Sequence, residues 1–234
     1  MPTITALGFD ADDTLWQNEQ FFRLTQERFA AFLADHADPA MLGQRLLDAE
    51  RRNLKLYGFG IKGFVLSMVE TAVEVTEGRV PGTVIARILE AGREMLAHPV
   101  DLLPEVQETL EALHGRYRLI LITKGDLFDQ ERKIAASGLA ELFDGVEIVS
   151  DKSPATYRRI FDRHGDGAGR AVMIGNSLKS DVVPALEAGA WGVLVPHSLT
   201  WELEHAEEPV SHPRYRSVSS IGEIPPLLDS LESA

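Results

Sequence analysis

Three carboxylates follow directly on an apolar run: Ile4-Thr5-Ala6-Leu7-Gly8-Phe9 leads into Asp10-Ala11-Asp12-Asp13-Thr14. A short apolar run of this kind reads as a buried strand. Anions at the end of such a strand cost several kcal/mol unless something pairs with them, and a divalent cation would do so. If the strand is central in an open parallel sheet, its carboxyl end is where such sheets place ligands. Asp10 and Asp12, two apart on extended chain, would share a face. One carboxylate is then available as a nucleophile and its neighbour as a proton carrier, given different environments. The plainer reading is an acidic turn, or an amino-terminal cap for the next helix.

Past this motif the pattern turns helical for about eighty residues, longer than ordinary strand connections. Phe22, Phe29 and Leu33 recur at helical spacing, Leu46, Leu47, Leu54 and Leu56 suggest a second helix, 64–75 a third, and Val84, Ile88 and Leu96 a fourth. From Pro104 onward helices and β-rich runs alternate: helix 104–114, strand 118–123, helix 128–143, strand 146–149, helix 157–163, strand 171–174, helix 182–188 and strand 192–195. That alternation predicts an α/β fold, a Rossmann-like parallel sheet with helices on both faces. The expected division is a core of residues 1–15 and 100–234 with a helical cap domain at 16–99. Residues 200–216 are polar and aperiodic and read as a long surface loop before a last helix at 224–231.

Composition narrows the partners. Lys and Arg number 23 against 36 Asp and Glu, a net charge of −13. That balance disfavours nucleic acid and anionic membrane but not a small phosphorylated substrate, which responds to the local field. No apolar run approaches the roughly 20 residues a membrane span needs. The amino terminus lacks the order of a secretory signal. With no cysteine, thiolate metal sites are excluded, and a reducing cytoplasm is the expected location.

Four segments fall at predicted strand ends: Asp10 to Thr14; Thr123-Lys124-Gly125; Lys152; and Gly175-Asn176-Ser177 with Asp181. Each alone is ordinary, but together they bring a nucleophile, a proton carrier, a hydroxyl, a cation and oxygen donors to one sheet edge. In this order, with a helical insertion after the first motif, the chain resembles the haloacid dehalogenase superfamily, phosphatase-like branch with a helical cap. The resemblance implies Asp10 as nucleophile, forming an aspartyl phosphate, and Asp12 as acid and base. It implies a Mg²⁺ held by Asp10, the backbone carbonyl of Asp12, and an oxygen from the 175–181 loop, Asn176 or Asp181. Thr123, Lys124, Gly125 and Lys152 would bind the phosphoryl group.

Some positions depart from the common family pattern. Asn176 stands where many phosphatases carry an aspartate, which predicts weaker metal binding. Pro154 follows Lys152 by two positions, leaving Lys124 and Lys179 as alternatives for the charge-balancing lysine. Gly58-Phe59-Gly60-Ile61-Lys62-Gly63 matches a dinucleotide fingerprint in letters only, because a charged helical segment precedes it. It reads as a turn between helices; in capped relatives such a loop can face the site, which would give Phe59 and Lys62 contacts to the leaving group. Trp16 is expected in packing, or at the cap hinge and near substrate. The histidines show no zinc spacing, and Ser177 lies outside a Gly-x-Ser-x-Gly elbow.

The expected function is a Mg²⁺-dependent phosphatase acting on a small phosphorylated metabolite such as a nucleotide, flavin mononucleotide or sugar phosphate. The rivals are a phosphomutase or 2-haloacid dehalogenase on the same core, and a non-enzymatic metal-binding or phospho-accepting regulator. Asp12 argues against a dehalogenase, since a departing halide needs no proton. Oligomeric state is not legible.

Overall fold

The computed structural model describes residues 3–233. In chain order the elements are β1 (Ala6–Phe9), α1 (Glu19–Phe32), α2 (Pro39–Tyr57), α3 (Ile61–Val75), α4 (Gly82–Ala97), α5 (Val106–Leu113), β2 (Arg118–Lys124) and α6 (Leu127–Ser137). There follow β3 (Gly145–Val149), α7 (Pro154–His164), β4 (Ala171–Gly175), α8 (Val183–Ala188), β5 (Trp191–Leu194), β6 (Tyr215–Ser217) and α9 (Ile224–Glu232). The strands form one parallel sheet in the order β3-β2-β1-β4-β5-β6. This is the expected α/β architecture with a Rossmann-like sheet.

Strand alternation sorts the core into two layers. Leu7, Phe9, Leu119, Leu121, Val172, Ile174 and Val193 face α5 and α9, meeting Val106, Leu110, Leu113, Ile224 and Leu228. Ala6, Ile120, Ile122, Ala171 and Met173 face the other way, onto Tyr157, Ile160 and Phe161 of α7. Both faces are buried, which is why the central strands read as continuous apolar runs. Gly8 has a specific reason to lack a side chain. A Cβ there would sit 2.8 Å from Ile122 Cδ1 and 3.0 Å from Met173 Sδ.

The sheet fixes where chemistry can occur. The chain winds outward from β1 through β2 to β3, then crosses to β4 and winds the other way, so β1 and β4 flank the switch point. Phe9 pairs with Ile174, and the Asp10 N–H donates to the Ile174 carbonyl at 2.9 Å. The loops after β1 and β4 therefore leave the sheet side by side.

By its contacts the chain divides into two units, residues 1–19, 100–124 and 130–234, and residues 20–99 with 125–129. The second is helical, its core made by Phe29, Leu33, Leu42, Leu46, Phe64, Met68 and Ile88. Asp38 caps α2 by accepting from the N–H of Ala40, with Pro39 in the first turn. Gly58 closes α2 at φ 73° and Gly60 opens α3, so the glycine-rich stretch is a turn between helices.

Two elements differ from the sequence reading. The helix expected over 128–143 stops at Ser137, because Gly138 takes a left-handed φ of 72° and ends it. Residues 200–216 are not wholly a surface loop, since Tyr215 and Arg216 enter β6 and the Glu204 side chain is largely covered, only 14 % exposed. Among the described residues no helix is long and apolar enough to cross a membrane.

Candidate active site

Asp10 is the first residue past β1 and is buried. Its Oδ1 accepts a hydrogen bond from Lys152 Nζ at 2.5 Å, and its Oδ2 accepts one from the Thr14 hydroxyl at 2.9 Å. The same ammonium donates to Asp181 Oδ1 at 2.7 Å. The Thr14 hydroxyl also lies 3.3 Å from Asn176 Oδ1 and accepts from the Asn176 N–H at 3.0 Å. Asp10, Lys152, Asn176 and Asp181 thus meet from the ends of three strands.

Lys152, rather than either alternative, is the lysine brought to Asp10. Lys179 donates to the Leu203 carbonyl, and Lys124 to Ser180 and Glu204. Pro154 is accounted for locally: Ser153 caps α7 through the Thr156 N–H, and proline fits the first helical turn. Lys152 is thereby fixed just ahead of a capped helix.

Asp181 is positioned by an irregular turn. Leu178–Val182 winds as a single π turn ahead of α8, a form often found at functional sites. Its carboxylate accepts the Ser177 N–H at 3.0 Å, and it lies in the space a Cβ on Gly175 would fill. Tyr157 braces the turn by donating to the Ser180 carbonyl at 2.9 Å.

Charge in this cluster is unbalanced, with two buried carboxylates against one ammonium. Burial, followed by the charge of Asp181, pushes the Asp10 carboxyl up to about 7, against the pull of Lys152. Burial works to lower the Lys152 ammonium, but the attraction of Asp10 and Asp181 outweighs it and holds that group well above the usual lysine range. Among the described residues no group of three His, Cys, Asp or Glu side chains is arranged to hold a metal. The available donors are two carboxylates and an amide oxygen, an all-oxygen set with surplus negative charge that fits a hard divalent cation.

The other carboxylates of the motif face different partners. Asp12 accepts from Trp16 Nε1 at 2.7 Å and Lys133 Nζ at 2.6 Å on Oδ1, and from Gln130 Nε2 at 2.9 Å on Oδ2. Burial works to raise its carboxyl, but Lys133 and the other donors outweigh that and hold it below the usual range. Asp13 sits at φ 61° and accepts the N–H groups of Asn18 and Glu19 at 2.9 and 3.0 Å, so it caps α1. The capping reading was right for Asp13 alone.

Thr123 is buried at the end of β2, and Gly125 turns the chain with φ 147°. Lys124 is committed elsewhere: its Nζ lies 2.6 Å from both Ser180 Oγ and Glu204 Oε1. Glu204 also accepts from Ser177 and Ser180. Burial alone would raise the Glu204 carboxyl, yet Lys124 and the hydroxyls hold it low.

Trp16 is wholly buried and packed in the core, with its indole N–H donating to Asp12, so of its expected places it takes the packing one and not a substrate contact. Phe59 and Lys62 belong to the helical unit, where Lys62 bonds both Asp126 oxygens at 2.9 and 3.0 Å. Sequence reasoning missed Gln130, Lys133 and Glu204. The first two had only a faint signal, a three-residue spacing on the helix after the Thr123 turn that fits a solvent-facing surface equally well. Glu204 had none, lying in an aperiodic polar stretch.

Comparison with known proteins gives consistent matches. The sequence profile described as haloacid dehalogenase-like hydrolase matches residues 4–189. N-acylneuraminate-9-phosphatase of Mus musculus is 30% identical over 139 residues, 56% of this chain and 53% of that protein. The chain thus spans about half the length of that relative. Pyrimidine 5′-nucleotidase YjjG of Escherichia coli is 24% identical over 94% of this chain and 96% of its own. A solved haloacid dehalogenase-like hydrolase from Xanthomonas campestris is 44% identical, with a TM-score of 0.88 over 99% of this chain and 93% of its own.

Proposed function

Because the chain belongs to the haloacid dehalogenase-like hydrolase family, we propose that it hydrolyses the phosphomonoester of a small metabolite, with Asp10 as nucleophile. The observation that carries this reading is the convergence on Asp10 of Lys152, Thr14 and, through them, Asp181 and Asn176. The relatives whose names are a phosphatase and a nucleotidase support it.

In this reading Asp10 Oδ attacks phosphorus and the ester P–O bond breaks, leaving an aspartyl phosphate. Asp12 gives a proton to the departing oxygen, and its carboxylate then takes one from the water that cleaves the aspartyl phosphate. Lys152 and the Thr123 hydroxyl balance charge on the transferring group, beside the N–H groups of the Thr123 to Gly125 turn. Asp10, Asn176 and Asp181, with the backbone carbonyl of Asp12, would hold Mg²⁺. Bound there, the ion offsets repulsion between an anionic nucleophile and an anionic ester. Asp12 separates this activity from dehalogenation, where the leaving halide takes no proton.

The test is phosphate release from a panel of nucleoside, sugar and flavin phosphates with Mg²⁺, ranked by kcat/KM. Release abolished by both a chelator and Asp10→Asn is the expected result. Turnover that survives Asp10→Asn overturns the proposal.

A further inference from the structure

The Asp12 carboxylate is held by donors that lie outside the four strand-end segments. Gln130 and Lys133 stand three residues apart on α6, one above the other on the same face of the helix. Both are buried. Gln130 donates to Oδ2 and Lys133 to Oδ1, at 2.9 and 2.6 Å, and Trp16 adds a third donor at 2.7 Å. Asp12 itself lies on the loop after β1, its backbone in a single β-bridge with Trp16 and its side chain 22 % exposed.

Gln130 gives the stronger indication. Its Nε2 serves two acceptors at once, Asp12 Oδ2 and the Lys124 carbonyl, both at 2.9 Å. Flipping the amide would set its carbonyl against both oxygens, so the orientation is fixed by chemistry. Its own Oε1 is then buried without a hydrogen-bond partner. Leaving a buried acceptor unpaired is unfavourable, and an apolar residue would fill the space without that cost. The amide joins Asp12 to the end of β2, which carries Thr123.

We propose that Gln130 and Lys133 are positioning residues that keep the Asp12 side chain aimed for the second half of the reaction, in which it takes a proton from water. An ammonium, an amide N–H and an indole N–H fix both Asp12 oxygens, and an ester whose leaving group needs no proton draws on that aim in the second half alone. This rests on the phosphatase reading above. Loss of the clamp slows cleavage of the aspartyl phosphate and leaves its formation from an ester with a good leaving group intact.

The experiment uses 4-nitrophenyl phosphate with Mg²⁺ and the full chain, because 4-nitrophenolate departs without needing a proton. For Lys133→Met, kcat is expected to fall roughly tenfold or more. KM falls with it, so kcat/KM, which reports aspartyl phosphate formation, stays within about twofold. Rapid mixing then shows a burst of 4-nitrophenolate, and Lys133→Arg regains part of kcat. Gln130→Met provides the same test should Lys133→Met not fold. A fall in kcat/KM equal to that in kcat, unchanged kinetics, or a rise in KM alone overturns the proposal. A wild-type protein that releases phosphate from no ester instead refutes the underlying reading.

Discussion

The carboxylate of Asp181 occupies the volume that a side chain on Gly175 would need. The last residue of β4 is therefore as much part of the site as the aspartate it admits. Gly175→Ala is expected to displace Asp181, break its contact with Lys152, and lower kcat/KM about a hundredfold. Steady-state kinetics beside thermal unfolding check this; an alanine variant with wild-type turnover refutes it.

Gly8 lies within β1, a strand buried along its whole length, and is hemmed in by Ile122, Met173 and Phe161. Gly8→Ala should destabilise the protein by about 1–3 kcal/mol through overpacking. In a chain of this length that lowers Tm by roughly 2–4 °C per kcal/mol. Calorimetry showing an unchanged Tm would mean that the sheet relaxes around the methyl group.

Asn176 supplies a neutral oxygen where a carboxylate would add charge. Asn176→Asp should tighten Mg²⁺ binding about tenfold, since affinity follows the number of charged ligands. Titration calorimetry on both proteins measures it, and equal affinities would remove Asn176 from the ligand set.

Acid sensitivity should come in part from Glu147 on β3. Burial works to raise its carboxyl, but the hydrogen bond with His164 at 2.7 Å and the charge of Arg163 at 3.0 Å outweigh it and hold it low. A carboxyl lowered on folding contributes stability that is complete above the ordinary glutamate range and lost as pH falls through the folded value. Arg159 and Arg163 are more than half exposed and screened, so His164 carries most of the effect. Glu147→Gln should cost about 1 kcal/mol near pH 7. Urea unfolding from pH 6 to pH 3 should show the gap closing as the medium becomes acidic.

The alternation after Pro104 made the sheet legible, because strands buried on both faces leave continuous apolar runs. Helix ends were harder to read: Gly138 stops α6 by a backbone conformation that apolar periodicity does not encode. Within the site, Asp10, Lys152, Asn176 and Asp181 could be found because each follows a readable strand. Gln130 and Lys133 were missed for the opposite reason. A lysine and a glutamine on an amphipathic helix look solvent-facing until the aspartate they bind is in place. Glu204 was hidden by a loop whose path depends on tertiary contacts with Lys124, Ser177 and Ser180.

The order of strands carries a consequence for folding. Asp10, Thr123, Lys152 and Asn176 issue from β1, β2, β3 and β4, four adjacent strands drawn from distant parts of the chain. No local segment assembles more than a fragment of this constellation, and pairing across such separations is slow. Regain of turnover after dilution from denaturant would thus time the seating of β4 against β1, and helix content recovered earlier would come with no catalysis at all.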